Sequence, residues 1–198
     1  MSAITTPVAG TPVAWKLPYR GTVGMACLII AESAIFTIFV VAYLFYVGKS
    51  LSGPTPNEVL ETPIFYTVCL LSSSLTIHFA GKLLERGRRG AFLLLWLLTI
   101  ALGALFLYGT GQEWHRLIYE HGLTISTNLF GTTYYSLVGL HAFHVTAGLI
   151  LLSIVLFFGL AGRVAPEQSA RVDVLSMYWH FVDVVWIVVF TVVYVLGR

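Results

Sequence analysis

Five ionisable side chains lie in otherwise apolar stretches, and their types and spacing set what chemistry this chain could do. Glu32 follows Ile29, Ile30 and Ala31 and precedes Ser33, Ala34 and Ile35. His141 and His144 are three apart within the run from Gly139 to Val145. His180 and Asp183 are three apart within the run from Tyr178 to Trp186. Residues three apart on a helix share a face. Such groups could exchange protons, bond helices together, or ligate a metal. Imidazole suits haem iron and copper. A copper site needs three converging histidines, and a bis-histidine haem needs two at one depth. His141 or His144 with His180 is offset in depth, and carboxyls among histidines fit hydrogen bonding better than ligation. The spacing therefore predicts no metal and no redox cofactor held by this chain. No phosphate-binding loop, nucleophile elbow or cysteine pair is present; Cys27 and Cys69, each in an apolar run, read as small hydrophobes.

The elements that must position these groups are membrane helices. The chain has 198 residues, of which 58% are hydrophobic and 10% charged, against roughly 25% charged in a soluble domain. Five runs reach the length of about 20 apolar residues that a helical crossing needs: Thr22 to Val47, Pro63 to Leu83, Ala91 to Gly109, Leu129 to Leu160 and Leu175 to Leu196. The predicted fold is an all-α integral membrane bundle of five helices, residues 22–198, behind an N-terminal tail of residues 1–21. That tail lacks the basic start and apolar core of a signal peptide. Trp15 and Tyr19, beside Lys16 and Arg20, are expected to anchor it at the lipid surface. The net charge of +2 argues against nucleic acid.

Orientation follows from the basic residues. With the N-terminus inside, Lys16, Arg20, Lys82, Arg86, Arg88, Arg89, Arg163 and Arg171 fall inside, whereas Lys49, Arg116 and Arg198 fall outside. Lys82, Arg86, Arg88 and Arg89 form a basic turn after the second run. At headgroup level each such charge gains about 1 kcal/mol near an anionic surface, so a bound phospholipid is expected there or beside the first helix.

Glu32, about ten residues into the first run, sits near mid-membrane. A carboxylate there costs roughly 2.5–3.5 kcal/mol on insertion scales, so it must be neutralised, paired, or turned toward protein or water. His141 and His144 lie at the same level. A neutral Glu32 donating one hydrogen bond to either is expected, with an ion pair as the alternative. Leu137 and Gly148 continue the histidine face, and Gly148 would admit another helix. His180 and Asp183, with Ser176, Thr191 and Tyr194 extending their face, read as an interhelical hydrogen-bond network. His78 reads as interfacial, and His115 and His121 as solvated in an outer loop.

The last two runs resemble a known family. Tyr178-Trp179-His180-Phe181-Val182-Asp183-Val184-Val185-Trp186 looks like the signature of cytochrome c oxidase subunit III. Gly139-Leu140-His141-Ala142-Phe143-His144-Val145 resembles the family's paired-histidine segment. Thr124-Ile125-Ser126, Gly131-Thr132-Thr133-Tyr134 and Gln112-Glu113-Trp114 support the likeness, and Glu32 sits where the family has its carbodiimide-reactive glutamate. The likeness runs from about Gly21 onward. It departs from mitochondrial-type members, which have seven helices, in lacking the first two; those form one wall of a lipid-filled cleft. Ala31 also replaces a common serine. The resemblance implies a non-catalytic subunit III of a proton-pumping haem–copper oxidase in a bacterial plasma membrane. It would pack on catalytic subunit I and other subunits, which hold the haem and copper, stabilise them, support proton uptake and guide oxygen. The electron donor would be cytochrome c, or quinol in the alternative. A small proton-coupled transporter is a competing reading, but the internal repeats and broken helices usual in transporters are not visible.

Overall fold

A computed structural model describes residues 19–50 and 53–197. Trp15, Lys16 and most of the expected tail lie outside the described residues, as does Arg198. Apolar sequence without water leaves the backbone only its own hydrogen bonds, which is why these runs are helices. The elements are α1 (Arg20–Tyr46), α2 (Pro56–Val59), α3 (Ile64–Glu85), α4 (Arg89–Tyr119), α5 (Leu129–Leu160) and α6 (Ser169–Phe190). A 3-10 turn, Pro166–Gln168, leads into α6, and a π-helical stretch, Thr191–Leu196, follows it. Five of these helices are long and apolar enough to cross a membrane. Only α2, four residues long, is not a span.

Two boundaries correct the sequence reading. The third span does not stop at Gly109 but continues to Tyr119, 31 residues in all. Hydropathy falls after Gly109 because the last turns carry Gln112, Glu113, His115 and Arg116, yet nothing there breaks a helix. His115 is exposed as expected, on a helix rather than in a loop. The fifth span starts at Ser169, so Arg171 and Asp173 belong to its first turns. The fourth span has the predicted limits, Leu129–Leu160.

The turns follow from local chemistry. After α3, Gly87 takes φ 72°, donates to Leu84 O at 2.9 Å, and leaves Arg88 to donate to Leu83 O at 2.9 Å. That pair of bonds satisfies carbonyls the helix would otherwise orphan, and glycine adopts this φ without penalty. It also sets Lys82, Arg86, Arg88 and Arg89 on an exposed bend. Asn128 caps α5 by accepting from Gly131 N at 2.8 Å.

The core is built around Trp179 of α6. A Cβ on Gly103 of α4 would lie 2.8 Å from its indole, and one on Gly148 of α5 also 2.8 Å. Small residues at these two points let three helices close on one large ring. Tyr66 of α3 sits against Gly109 of α4 in the same way. α1 is different: only Phe36 and Tyr43 of its residues are buried.

Candidate functional site

α1, α5 and α6 meet around His144. Its Nδ1 lies 2.8 Å from Leu140 O, a contact that only an N–H can satisfy, so Nδ1 carries a proton. Its Nε2 lies 3.1 Å from Glu32 Oε2. A single proton is therefore shared there, on the carboxyl or on the ring. Tyr178 OH donates to His144 O at 3.1 Å, and the Phe36 ring packs 5.0 Å from the imidazole. The expected Glu32–histidine contact between helices exists. The Glu32 side chain remains 23% exposed, so it stands at the edge of the bundle.

His141 does not join this contact. It is fully buried, stacked 4.9 Å from Trp186 and edge-on to Phe106 at 5.7 Å, and neither ring nitrogen meets a hydrogen-bond partner. Of the two histidines predicted as partners of Glu32, the tertiary structure selects His144. Three residues apart, the two rings point about 60° apart around the helix, which is enough to turn His141 from α1 toward Phe106 of α4 and Trp186 of α6.

His180 and Asp183 are bridged by Ser74 of α3. Ser74 Oγ donates to Asp183 Oδ2 and lies 2.9 Å from His180 Nδ1. One hydroxyl proton given to Asp183 leaves His180 as the donor to Ser74. Asp183 is buried, its other oxygen without a partner, whereas His180 is half-buried. Two further bonds extend this α3–α6 seam: Trp179 Nε1 to Ser73 Oγ at 2.8 Å and Trp186 Nε1 to Thr67 Oγ1 at 3.1 Å. The sequence reading anticipated the network but missed its α3 side. The run Ser72-Ser73-Ser74 was its signal. Ser176 and Thr191, expected on the same polar face, bond instead to their own helix, to Val172 O and Ile187 O.

A second polar cluster lies near the C-terminal ends of α4 and the π-helical stretch. Tyr194 OH donates to the Glu113 carboxyl at 2.9 Å and 3.0 Å, and Tyr134 OH is 3.4 Å from Tyr194 OH. Arg116, one turn from Glu113, pairs with Glu61. Sequence reasoning placed Glu113 in a loop and so missed a buried role for it. His78, expected at the interface, is exposed in the second half of α3. Among the described residues, no three His, Cys, Asp or Glu side chains gather as metal ligands would.

A five-helix membrane bundle, with a Glu–His pair between its first and fourth spans and a Ser–His–Asp bridge on its last, is the class this architecture defines. The profile of cytochrome c oxidase subunit III matches residues 19–198. A cytochrome c oxidase subunit 3 of Synechocystis is 40% identical over 178 residues, 87% of this chain and 74% of that protein. One from Alkalihalophilus pseudofirmus is 32% identical over 168 residues, 84% of this chain and 82% of that protein. A cytochrome bo(3) ubiquinol oxidase subunit 3 of Pseudomonas putida is 34% identical over 176 residues, 88% and 84%. This chain belongs to the cytochrome c oxidase subunit III family of the haem–copper oxidases.

Proposed function

We propose that the chain is the non-catalytic subunit III of a proton-pumping oxidase whose electron donor is cytochrome c, and that it stabilises catalytic subunit I through turnover. One observation carries this reading: the mid-membrane polar groups are spent on joining helices. Glu32 holds α1 to α5, Ser74 holds α3 to both His180 and Asp183, and His141 is packed as an aromatic ring. Groups committed in this way fit a scaffold that carries no active site, haem or copper of its own. The redox centres then belong to partner subunits. Supporting proton uptake and oxygen access are the further roles the family suggests.

Two features favour a life inside a complex. α1 buries only two of its residues, and an apolar groove of about 550 Å³ runs between α1 and α6, lined by Ile29, Phe36, Val40, Phe181, Val185 and His180. A partner subunit or lipid tails would cover both. The five spans make the chain multi-pass, its bacterial relatives favour a bacterial plasma membrane, and the basic residues favour the N-terminus inside. The Lys82, Arg86, Arg88 and Arg89 bend would meet a phospholipid headgroup there. Quinol remains the second donor, since relatives of both names align along most of the chain.

The experiment is to purify the chain from its native membrane and identify what accompanies it. A catalytic subunit with haem and copper, plus a subunit with a copper-bearing cytochrome c docking domain, is the expected result. A complex lacking that copper domain would make quinol the donor. Recovery of the chain without any haem-bearing partner would overturn the reading.

A further inference from the structure

The cluster around Glu113 continues a line of oxidisable rings that starts inside the bundle. Trp186, 1% exposed, lies 6.4 Å from Tyr194 between ring centroids. Tyr194 and Tyr134 meet through their hydroxyls at 3.4 Å. Tyr134 lies 5.2 Å from Tyr135, and Tyr135 lies 5.6 Å from Trp114. Trp186, Tyr194 and Tyr134 are buried, whereas Tyr135 and Trp114 are half-buried near the end of α4. Apart from sulfur groups, indole and phenol are the side chains most easily oxidised by one electron. Electron transfer falls steeply with distance, so short steps between touching rings outrun one long jump.

Packing alone does not account for one feature. A phenol oxidised by one electron must also lose its proton, and it does so readily only when a base already accepts its hydrogen bond. Tyr194 OH donates to the Glu113 carboxyl, and Tyr134 OH lies 3.4 Å from Tyr194 OH. Tyr194 therefore reaches the carboxyl directly, and Tyr134 reaches it through the Tyr194 hydroxyl. Tyr194 further sits on the π-helical stretch, a rare geometry frequent at functional sites.

We propose that Trp186, Tyr194, Tyr134, Tyr135 and Trp114 form a path that carries single oxidising equivalents from inside the bundle to the surface at the end of α4, with Glu113 as its proton acceptor. The proposal rests on the chain's place in an oxygen-reducing complex. The oxidant is an aromatic radical cation of a neighbouring subunit, which takes one electron from Trp186 and is thereby reduced. Tyr194 refills Trp186 and passes its phenolic proton to the Glu113 carboxylate, leaving a neutral phenoxyl radical. Tyr134 then gives Tyr194 an electron and its own proton. Trp114 supplies the next electron to Tyr134 through the ring of Tyr135. Glu113 returns its proton to Tyr194, whose own hydroxyl proton passes to the Tyr134 oxygen, and both phenols and the carboxylate are restored. Tyr135 keeps its proton on Leu123 O, 2.8 Å away. A soluble one-electron reductant, a thiol or ascorbate, refills Trp114, so the net change is one electron moved from that reductant to the oxidant.

The test uses the purified oxidase complex containing the full chain, treated with hydrogen peroxide and then mapped for oxidised tryptophan and tyrosine by peptide mass spectrometry. In the wild type, oxidation should collect at Trp114 and spare Trp186, and ascorbate should suppress it. Tyr194→Phe keeps a ring but removes the proton and the easy oxidation; Glu113→Gln keeps the shape but cannot take a proton. In either variant, oxidation should fall several-fold at Trp114 and rise at Trp186. Tyr119, 75% exposed and off the path, reports direct attack from solution. The proposal is overturned if Trp114 oxidation is unchanged in both variants, if it follows Tyr119 in every sample, or if it falls with no rise at Trp186. Absence of partner subunits in the preparation would instead refute the oxidase assignment, and it is read separately from subunit composition.

Discussion

At the scale of single residues, Glu32 and the two histidines of α5 divide their labour in a way that substitutions can expose. Gln at position 32 can still donate to His144 Nε2, so Glu32→Gln should leave assembly and proton-pumping stoichiometry in vesicles nearly unchanged. Loss of pumping while oxygen reduction continues would show that Glu32 itself moves protons. Glu32→Ala should loosen α1 and shorten the working life of the complex under turnover. His141 makes only ring contacts, so His141→Phe preserves its stacking on Trp186 and should cost under about 1.5 kcal/mol, as volume-conserving core exchanges do. Ser74→Ala removes the hydroxyl that serves buried Asp183, and leaving such a group unsatisfied costs about 1–3 kcal/mol or more. Thermal loss of the subunit from the complex, followed by gel filtration, should rank Ser74→Ala well below His141→Phe.

At the scale of helices, Trp179 is the wedge and the glycines facing it are the slots. Gly148→Ala and Gly103→Ala each place a methyl 2.8 Å from that indole. Overpacking of this kind costs about 1–3 kcal/mol, and each variant should dissociate at lower temperature than the wild type. Gly90→Ala meets no atom within 4 Å and should behave as wild type. The helices themselves were largely legible in the sequence, because length and hydropathy decide a membrane span. The two ends that differed are instructive. Glu113 and Arg116 look like loop residues by polarity, yet on α4 they reach partners: Glu113 meets Tyr194, and Arg116 meets Glu61. Hydropathy measures affinity for lipid and is blind to a polar helix turn stabilised by neighbours.

At the scale of the molecule, the bundle has more apolar surface than it covers. α1 and the groove beside α6 are open in the single chain, and an exposed apolar face of this kind fits contact with lipid or a partner subunit. The basic bend predicts a lipid contact of its own. Replacing Lys82, Arg86, Arg88 and Arg89 by Gln should reduce retained anionic phospholipid in native mass spectra, and equal retention in variant and wild type would count against that contact. The chain expressed alone in detergent should show no haem absorption and no stoichiometric copper after washing. A retained cofactor would contradict the scaffold reading directly.

By itself, the sequence determined the number of spans, the position of the fourth helix to the residue, and the family, because hydropathy and the run from Tyr178 to Trp186 are properties of the chain read in order. It also placed Glu32 level with His141 and His144, since rise per residue fixes depth along a helix. It left open which histidine meets Glu32, what bridges His180 to Asp183, and that Glu113 joins Tyr194. Those pairings depend on how each helix is rotated about its axis and on which neighbour it faces. Rotation is set by steric fit, here by Trp179 closing against Gly103 and Gly148, and only the assembled bundle contains that fit.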